Sequence, residues 1–532
     1  MNKLTLTLVL VVCLFTVGFA GAAEVLVTEN IATSTTWTAN NVYNLQKQIY
    51  VLPGATLTIN AGTLIQSTAN LGGSLAVCRG AKIYANGTAN KPIIFTSTLD
   101  DLQNWHEGCN EWGNLTLMGD AMISCSTFGG LPVTRPDGTM NTATPTGLNQ
   151  HNMEGLEGDF TGDTKIWYGG ANDNDDSGAL HFVSLRYGGR VIGKGNELNG
   201  LSMGGIGRET DIDHIDIMNN VDDGIETWGG TVNYKYINIW NIGDDSFDFD
   251  EGWRGKAQFG LLVQGYSTSA DQGSGIGDNC FETDGAEDSD AQPITTGAIY
   301  NFTVVGQPIA GDQGTAWRDN CRMQYRNCIF MDLGEELVKF DNVDGDGAHG
   351  YGYNGTLSWE NTWTTPAGTS STVNAGTWTP DAFNDPAVMY QSQIPGDGML
   401  AEIKDSVFFD NLFPSAYTQA IARGVLDPNE LNVVASFDPN DPNANMPIQR
   451  LVRGPMVLKG PKNLPLLPVT YINPCAANDA LTSVGTAPVD GFFTPVSFRG
   501  GFPANENWLE GWTAAYQYGM TDTSMNLHKV AQ

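Results

Sequence analysis

The sequence predicts an all-β fold, a parallel β-helix solenoid with loop insertions and a C-terminal capping region, on three observations. Two stretches 22 residues apart repeat one another: His214-Ile-Asp-Ile with Val221-Asp-Asp-Gly-Ile-Glu226, then Tyr236-Ile-Asn-Ile with Gly243-Asp-Asp-Ser-Phe-Asp248. A period near 22 of short β-rich runs and Gly/Asp/Asn corners is that of a solenoid, in which each coil buries its apolar face by stacking on its neighbours. Short apolar or alternating runs, such as Gln48 to Val51, Ala55 to Ile59 and Leu75 to Val77, are punctuated by Gly54, Gly62, Gly73 and Gly80 at corners. Finally, 41% hydrophobic and 10% aromatic residues exclude a disordered acidic chain.

Taken in order, residues 1–23 carry Lys3, an apolar run from Leu4 to Phe19 and the small residues Ala20-Gly-Ala-Ala23. That is the pattern of a secretory signal peptide, too short for a stable membrane span, with the mature chain starting at Ala23 or Glu24. Cys13 follows Val12, where a lipoprotein signal wants a small residue, and no later segment is apolar enough for a transmembrane helix. The expected location is therefore secreted: periplasmic, extracellular or cell-surface. The solenoid is expected over 24–412, with one insertion near 126–178 that is rich in Gly, Thr, Asn, Asp and Pro with little periodicity, and a second near 343–399 that is rich in Gly, Thr and aromatics. Residues 413–532 are expected to cap or brace the coil stack. There Ser415 to Val425 predicts a short helix, and Trp508, Trp512 and Tyr516 an apolar helical stripe.

The net charge of −33 argues against nucleic acid and anionic membranes as partners and favours cations, or a neutral or cation-bridged polymer. Seven of the eight cysteines follow the signal segment. Disulfides are plausible in an oxidising compartment, with Cys109–Cys125 and Cys280–Cys321 as candidate pairs. Their spacing includes no Cys-x-x-Cys, which disfavours zinc.

The repeat is also acidic. Asp222 and Asp223 are expected one coil below Asp244 and Asp245, and Glu226 below Asp248, with strands about 4.8 Å apart. In Ser246-Phe-Asp-Phe-Asp250, alternation sends Phe247 and Phe249 inward and Asp248 and Asp250 outward. Cys280-Phe-Glu-Thr-Asp284 echoes this run and adds Glu282 from above. Hard oxygen donors in this density suit calcium, and the candidate metal ligands are Asp222, Asp223, Glu226, Asp244, Asp245, Asp248, Asp250, Glu251 and Glu282. A solvated acidic face and a catalytic carboxylate set are the competing readings. Asn172 to Gly178 and Asp341 to Gly347 also look like oxygen-rich calcium loops, although such clusters are ordinary turn chemistry.

The stretches Trp112-Gly-Asn-Leu-Thr-Leu-Met-Gly-Asp120, Asp222-Asp-Gly-Ile-Glu-Thr-Trp-Gly-Gly-Thr-Val232, Gly243 to Gly255 and Phe498 to Trp512 resemble a family of secreted right-handed β-helix proteins of bacteria, within the pectin-lyase-like superfamily. The resemblance implies secretion and a right-handed solenoid but supplies no reaction. Asn220-Val-Asp222 followed by Asp244-Asp245 is similar to the carboxylate pattern of some polygalacturonases, though a following Gly-His-Gly and an Arg-x-Lys are missing from the next coils. Polysaccharide lyases of the superfamily use calcium and a basic residue, a part that Arg318 and Lys339 would take on successive coils. Tyr351, Tyr353, Trp359 and Trp363 offer a sugar-stacking platform, or pack the second insertion onto the solenoid. The expected function is a structural, adhesive or glycan-binding role for a calcium-stabilised β-helix at the cell exterior. Its partners would be polysaccharide or another cell-surface component, or further copies of the chain. The alternative is a lyase or glycoside hydrolase acting on acidic polysaccharide.

Overall fold

In the computed structural model of the chain the described residues are 22–124, 127–128, 131–132, 150–156, 158, 163–193, 196–269, 277–285, 293–319, 321–340, 359–366, 398–411, 431–441, 445–459, 463–482 and 484–523. They form a parallel β-helix. One face is a ladder of nine parallel strands: Gln48–Val51, Ser74–Val77, Leu115–Met118, Leu201–Gly204, Ile225–Trp228, Phe247–Asp250, Phe281–Asp284, Thr315–Arg318 and Val338–Phe340. The register stacks Leu75, Leu115, Leu201, Ile225, Phe247 and Phe281 in one inward column, all fully buried. A solenoid core of this kind lengthens with each coil.

The second surface is made by the strands Gly178–Arg186, Asp211–Met218, Asn233–Trp240, Lys256–Val263 and Ala298–Val305. Toward either end it divides into pairs of shorter strands, such as Lys82–Asn86 with Ile93–Ser97 and Gln324–Arg326 with Ile329–Met331. Each long strand bends at one residue of positive φ, namely Phe182 (50°), His214 (53°), Tyr236 (59°), Phe259 (65°) and Asn301 (59°). Bulky residues rarely accept that conformation. Here ring stacking offsets the strain: Phe182–His214, His214–Tyr236 and Tyr236–Phe259 lie 4.0, 4.3 and 5.0 Å apart.

The C-terminal segment runs along this corner. Trp512 meets Phe182 and His214 edge-on at 5.5 and 5.7 Å, and Trp508 meets Tyr236 at 5.5 Å. The Ala514 N–H donates to Asp216 at 2.8 Å, the Tyr518 hydroxyl to Asp100 at 3.0 Å, and Arg453 to Asp332 at 2.7 Å. The expected helical stripe is shorter than its spacing implied. Only Ala514–Gln517 is helical, and Gly511, at φ 93°, breaks the run between Trp508 and Tyr516. The short helix expected over Ser415 to Val425 lies outside the described residues.

Two further expectations change. Cys109 and Cys280 are free thiols, so neither the Cys109–Cys125 nor the Cys280–Cys321 pairing is made. Trp363 is buried and stacks on Trp317 at 5.0 Å, as packing onto the solenoid requires and a sugar platform does not. Tyr351, Tyr353 and the Trp359 side chain lie outside the described residues. None of the described helices is long and apolar enough to cross a membrane.

Candidate cation site on the nine-strand ladder

Two columns of side chains build the site. The register places Ser202, Glu226, Asp248, Glu282, Ala316 and Lys339 in one outward column on successive coils. Beside it, at the corner leading into the ladder, Asn199, Asp223, Asp245 and Asn279 form a second. There the Asn199 oxygen accepts the Asp223 N–H at 3.2 Å, Asp223 accepts the Asp245 N–H at 2.9 Å, and Asp245 accepts the Asn279 N–H at 2.5 Å. Corner amides left outside the sheet need acceptors, and these short polar side chains supply them from one coil to the next.

The columns bring carboxylates from neighbouring coils together. The ligand oxygens of Asp223, Glu226 and Asp248 all lie within 4.8 Å of one another, and so do those of Asp222, Asp223 and Asp244. Asp223 is shared by both groups. Asp223, Glu226, Asp245 and Asp248 are only 8, 8, 4 and 6% exposed, so these four carboxylates are not a solvated face. Asn199 donates to Glu226, whose carboxylate lies against that of Asp248. Among the described residues, Asp244 Oδ1 and Asp248 Oδ1 are buried oxygens with no hydrogen-bond partner.

Burial, reinforced by like-charged neighbours, pushes the Asp222 carboxyl up to about 7 and Asp244 up to about 8. The same causes hold Asp223, Glu226, Asp245 and Asp248 well above the ordinary carboxylate range. Such a group holds protons or a cation. At its upper edge Arg318 donates two 2.8 Å hydrogen bonds to Asp284 and lies 2.7 Å from Glu282. Burial opposes its charge, yet Asp284 and Glu282 hold the guanidinium above its ordinary pKa.

Of the residues expected as ligands, the structure gathers Asp222, Asp223, Glu226, Asp244, Asp245, Asp248 and Glu282. It places Asp250 and Glu251 elsewhere. Asp250 pairs in register with Trp228, and the strand ends there. Glu251 adopts φ 47° and turns its buried carboxylate away, to the Tyr168 hydroxyl at 2.8 Å and His151 Nδ1 at 3.0 Å. Residues that sequence reasoning missed also add their charge to the group: Glu154 and Glu197 act on Asp222, Asp278 on Asp244, and Asp284 on Asp248.

Residues expected for the enzyme alternatives are placed differently from their spacing. Lys339 stacks on Ala316, and Arg318 is opposite Asp284, so the two do not occupy corresponding places. Arg318 is held charged by Asp284 and Glu282, which disfavours it as a proton-accepting base. Asn220 donates to the carbonyls of Leu198 (3.1 Å) and Asp223 (2.9 Å), a corner brace and not a partner for Asp222. In the loop Asn172 to Gly178, Arg254 holds Asp173 at 2.6 and 2.8 Å and Lys82 holds Asp176 at 2.5 Å, so these carboxylates serve ion pairs. The loop from Asp341 to Gly347 lies outside the described residues.

Among solved structures, the enzymatically active domain of tailspike protein 2 from bacteriophage CBA120 aligns at 10% identity over 58% of this chain, with a TM-score of 0.20. The full-length tailspike protein 2, from an Escherichia coli O157:H7 bacteriophage, aligns at 10% identity over 58% of this chain, with a TM-score of 0.21. The aligned parts span 41% and 36% of those chains, and at such TM-scores neither bears on the reading that follows. No curated protein matches. Residues 29–383, well over half of the chain, match the family model described as a pectate-lyase-like β-helix domain. The chain belongs to that family.

Proposed function

We propose that the chain is a secreted, acidic, calcium-stabilised β-helix with a structural, adhesive or glycan-binding role at the cell exterior. The observation that carries the calcium is the buried triad of Asp223, Glu226 and Asp248, with its orphaned Asp248 Oδ1. Its donors are carboxylate oxygens from adjacent coils, with neither His nor Cys among them, and calcium takes six to eight oxygens at about 2.3–2.6 Å. Carbohydrate as the partner is supported by the family's pectate-lyase-like description and by a surface charge that favours neutral or cation-bridged polymers. A binding role is favoured over catalysis because the carboxylates are buried and Arg318 is committed to Glu282 and Asp284.

The test is a thermal melt of the purified protein in calcium and in chelator, repeated for Asp248→Ala. A ligand bound only by the folded state contributes about 2.7 kcal/mol at a hundred times its dissociation constant. A higher midpoint in calcium that Asp248→Ala abolishes is the expected result. Equal midpoints in both buffers would refute the site, and binding assays on uronate polymers follow from a positive one.

A further inference from the structure

A second group of candidate ligands lies on the other surface of the solenoid, where the register sets Asp213 beside His181 of the preceding coil and Lys235 of the next. His181 Nδ1 is 2.8 Å from Asp213 Oδ1, and His214 Nδ1 is 2.9 Å from the same oxygen. The other nitrogen of the His181 ring, Nε2, meets Asp211 Oδ2 at 3.4 Å. Ligand atoms of His181, Asp211 and Asp213 all lie within 4.8 Å of one another. Lys235 directs its ammonium elsewhere, to the Phe492 carbonyl at 3.0 Å and the Thr494 hydroxyl at 2.8 Å.

The scaffold presets this group. His214 occupies the positive-φ bend of its strand, with its ring clamped between Phe182 and Tyr236 at 4.0 and 4.3 Å and Trp512 edge-on at 5.7 Å. A ring held on three sides keeps its nitrogen on Asp213, as a preorganised ligand requires. Asp211 is exposed, and His181, Asp213 and His214 are half-buried, so an ion reaches the group from solvent. Ordinary ion pairing explains the group poorly, because partly exposed pairs add little stability.

We propose that His181, Asp211, Asp213 and His214 bind a divalent transition-metal ion of the zinc class. Imidazole nitrogen with carboxylate oxygen suits zinc, whereas the all-carboxylate ladder suits the harder calcium. The donor separations of 2.8, 2.9 and 3.4 Å bracket the roughly 3.3 Å between neighbouring ligands of a tetrahedral ion with bonds of about 2.0–2.1 Å. One His181 nitrogen ligates and the other keeps a carboxylate as its hydrogen-bond partner, the usual support of a metal-bound imidazole. The site shares no residue with the ladder and stands independently of the calcium reading.

Calorimetric titration of the tag-free chain with zinc, in excess calcium to occupy the ladder, tests the assignment. The expected result is one zinc ion per chain, with affinity lowered at least about tenfold both in His181→Gln and in His214→Phe. His214→Phe removes the nitrogen but keeps the ring stack, since Phe182 and Phe259 already hold the same positive φ in this column. A melting midpoint near the parent's shows that a variant is folded, and if His214→Phe is not, His181→Gln decides. No zinc uptake by the folded parent refutes the site. Uptake unaltered in the folded histidine variants also refutes it, by placing the ion on other groups, and so does a loss confined to one of two folded variants. None of these outcomes depends on whether calcium raises the midpoint, so this site and the ladder site stand or fall separately.

Discussion

The same run of coils builds two columns of opposite character. At one corner Phe182, His214, Tyr236 and Phe259 stack ring on ring; on the ladder Glu226, Asp248 and Glu282 stack carboxylate on carboxylate. A solenoid repeats each position at about 4.8 Å, so it compounds whatever a side chain brings. Aromatic pairs gain about 0.5–1.5 kcal/mol beyond their burial, while buried like charges repel. The aromatic column is completed by the chain's own Trp508 and Trp512. The acidic column, with Asp248 Oδ1 orphaned, calls for a partner of opposite charge.

That contrast predicts that the two regions fail independently. The largest effect is expected at Trp512, which is fully buried against Phe182 and His214. Trp512→Ala should cost about 3–5 kcal/mol in denaturant unfolding, equally in calcium and in chelator. An unequal loss would break the comparison by coupling the brace to the cation site. Next, Asp248→Asn should erase the increment of about 2.7 kcal/mol that saturating calcium supplies. In chelator it should be at least as stable as the parent, because one repelling charge is gone.

The acidic region should also respond to pH in the direction opposite to an ion-paired carboxylate. An aspartate ionises near 3.9 in the unfolded chain, whereas Asp222 and Asp244 hold their protons up to about 7 and 8. Between these limits the folded state binds protons that the unfolded state lacks, so stability falls as pH rises. Melts in chelator at about pH 5 and about pH 8 should show the drop, and calcium should flatten it by replacing the protons. Smallest of all, Tyr236→Leu should lose about 0.5–1.5 kcal/mol of stacking and leave calcium dependence untouched. A change in calcium response there would show that the two columns communicate.

The coil pair from His214 to Asp248 was legible in sequence because no insertion interrupts it: Glu226 and Asp248 are register partners and also 22 residues apart. Glu282 was legible through its Phe-Glu echo of Phe247-Asp248, despite a longer connection. Asp250 misled because it is the last residue of its strand and its register partner is Trp228 and not a carboxylate, while at Glu251 a single backbone angle redirects the carboxylate. Glu154 and Glu197 were hidden for a different reason. They lie in connections without periodicity, and their charge acts on the site because apolar neighbours dock those segments. The Arg318–Asp284 pairing depends on a register no spacing announces. The disulfides expected from the compartment are not made: Cys109, half-buried, and Cys280, buried, are both free thiols.

The ladder keeps its register whether the connection between coils is short, as from Asp248 back to Glu226, or long enough to hold the whole first insertion, as from Thr116 to Ser202. Hydrogen bonds, and not residue counts, thus index the columns. Sequence inserted or deleted at a corner changes what the surface displays without moving the side chains stacked beneath it. The solenoid behaves as a rack with fixed pitch and interchangeable fittings, in which a binding surface can diverge freely while the ion-bearing column stays in line.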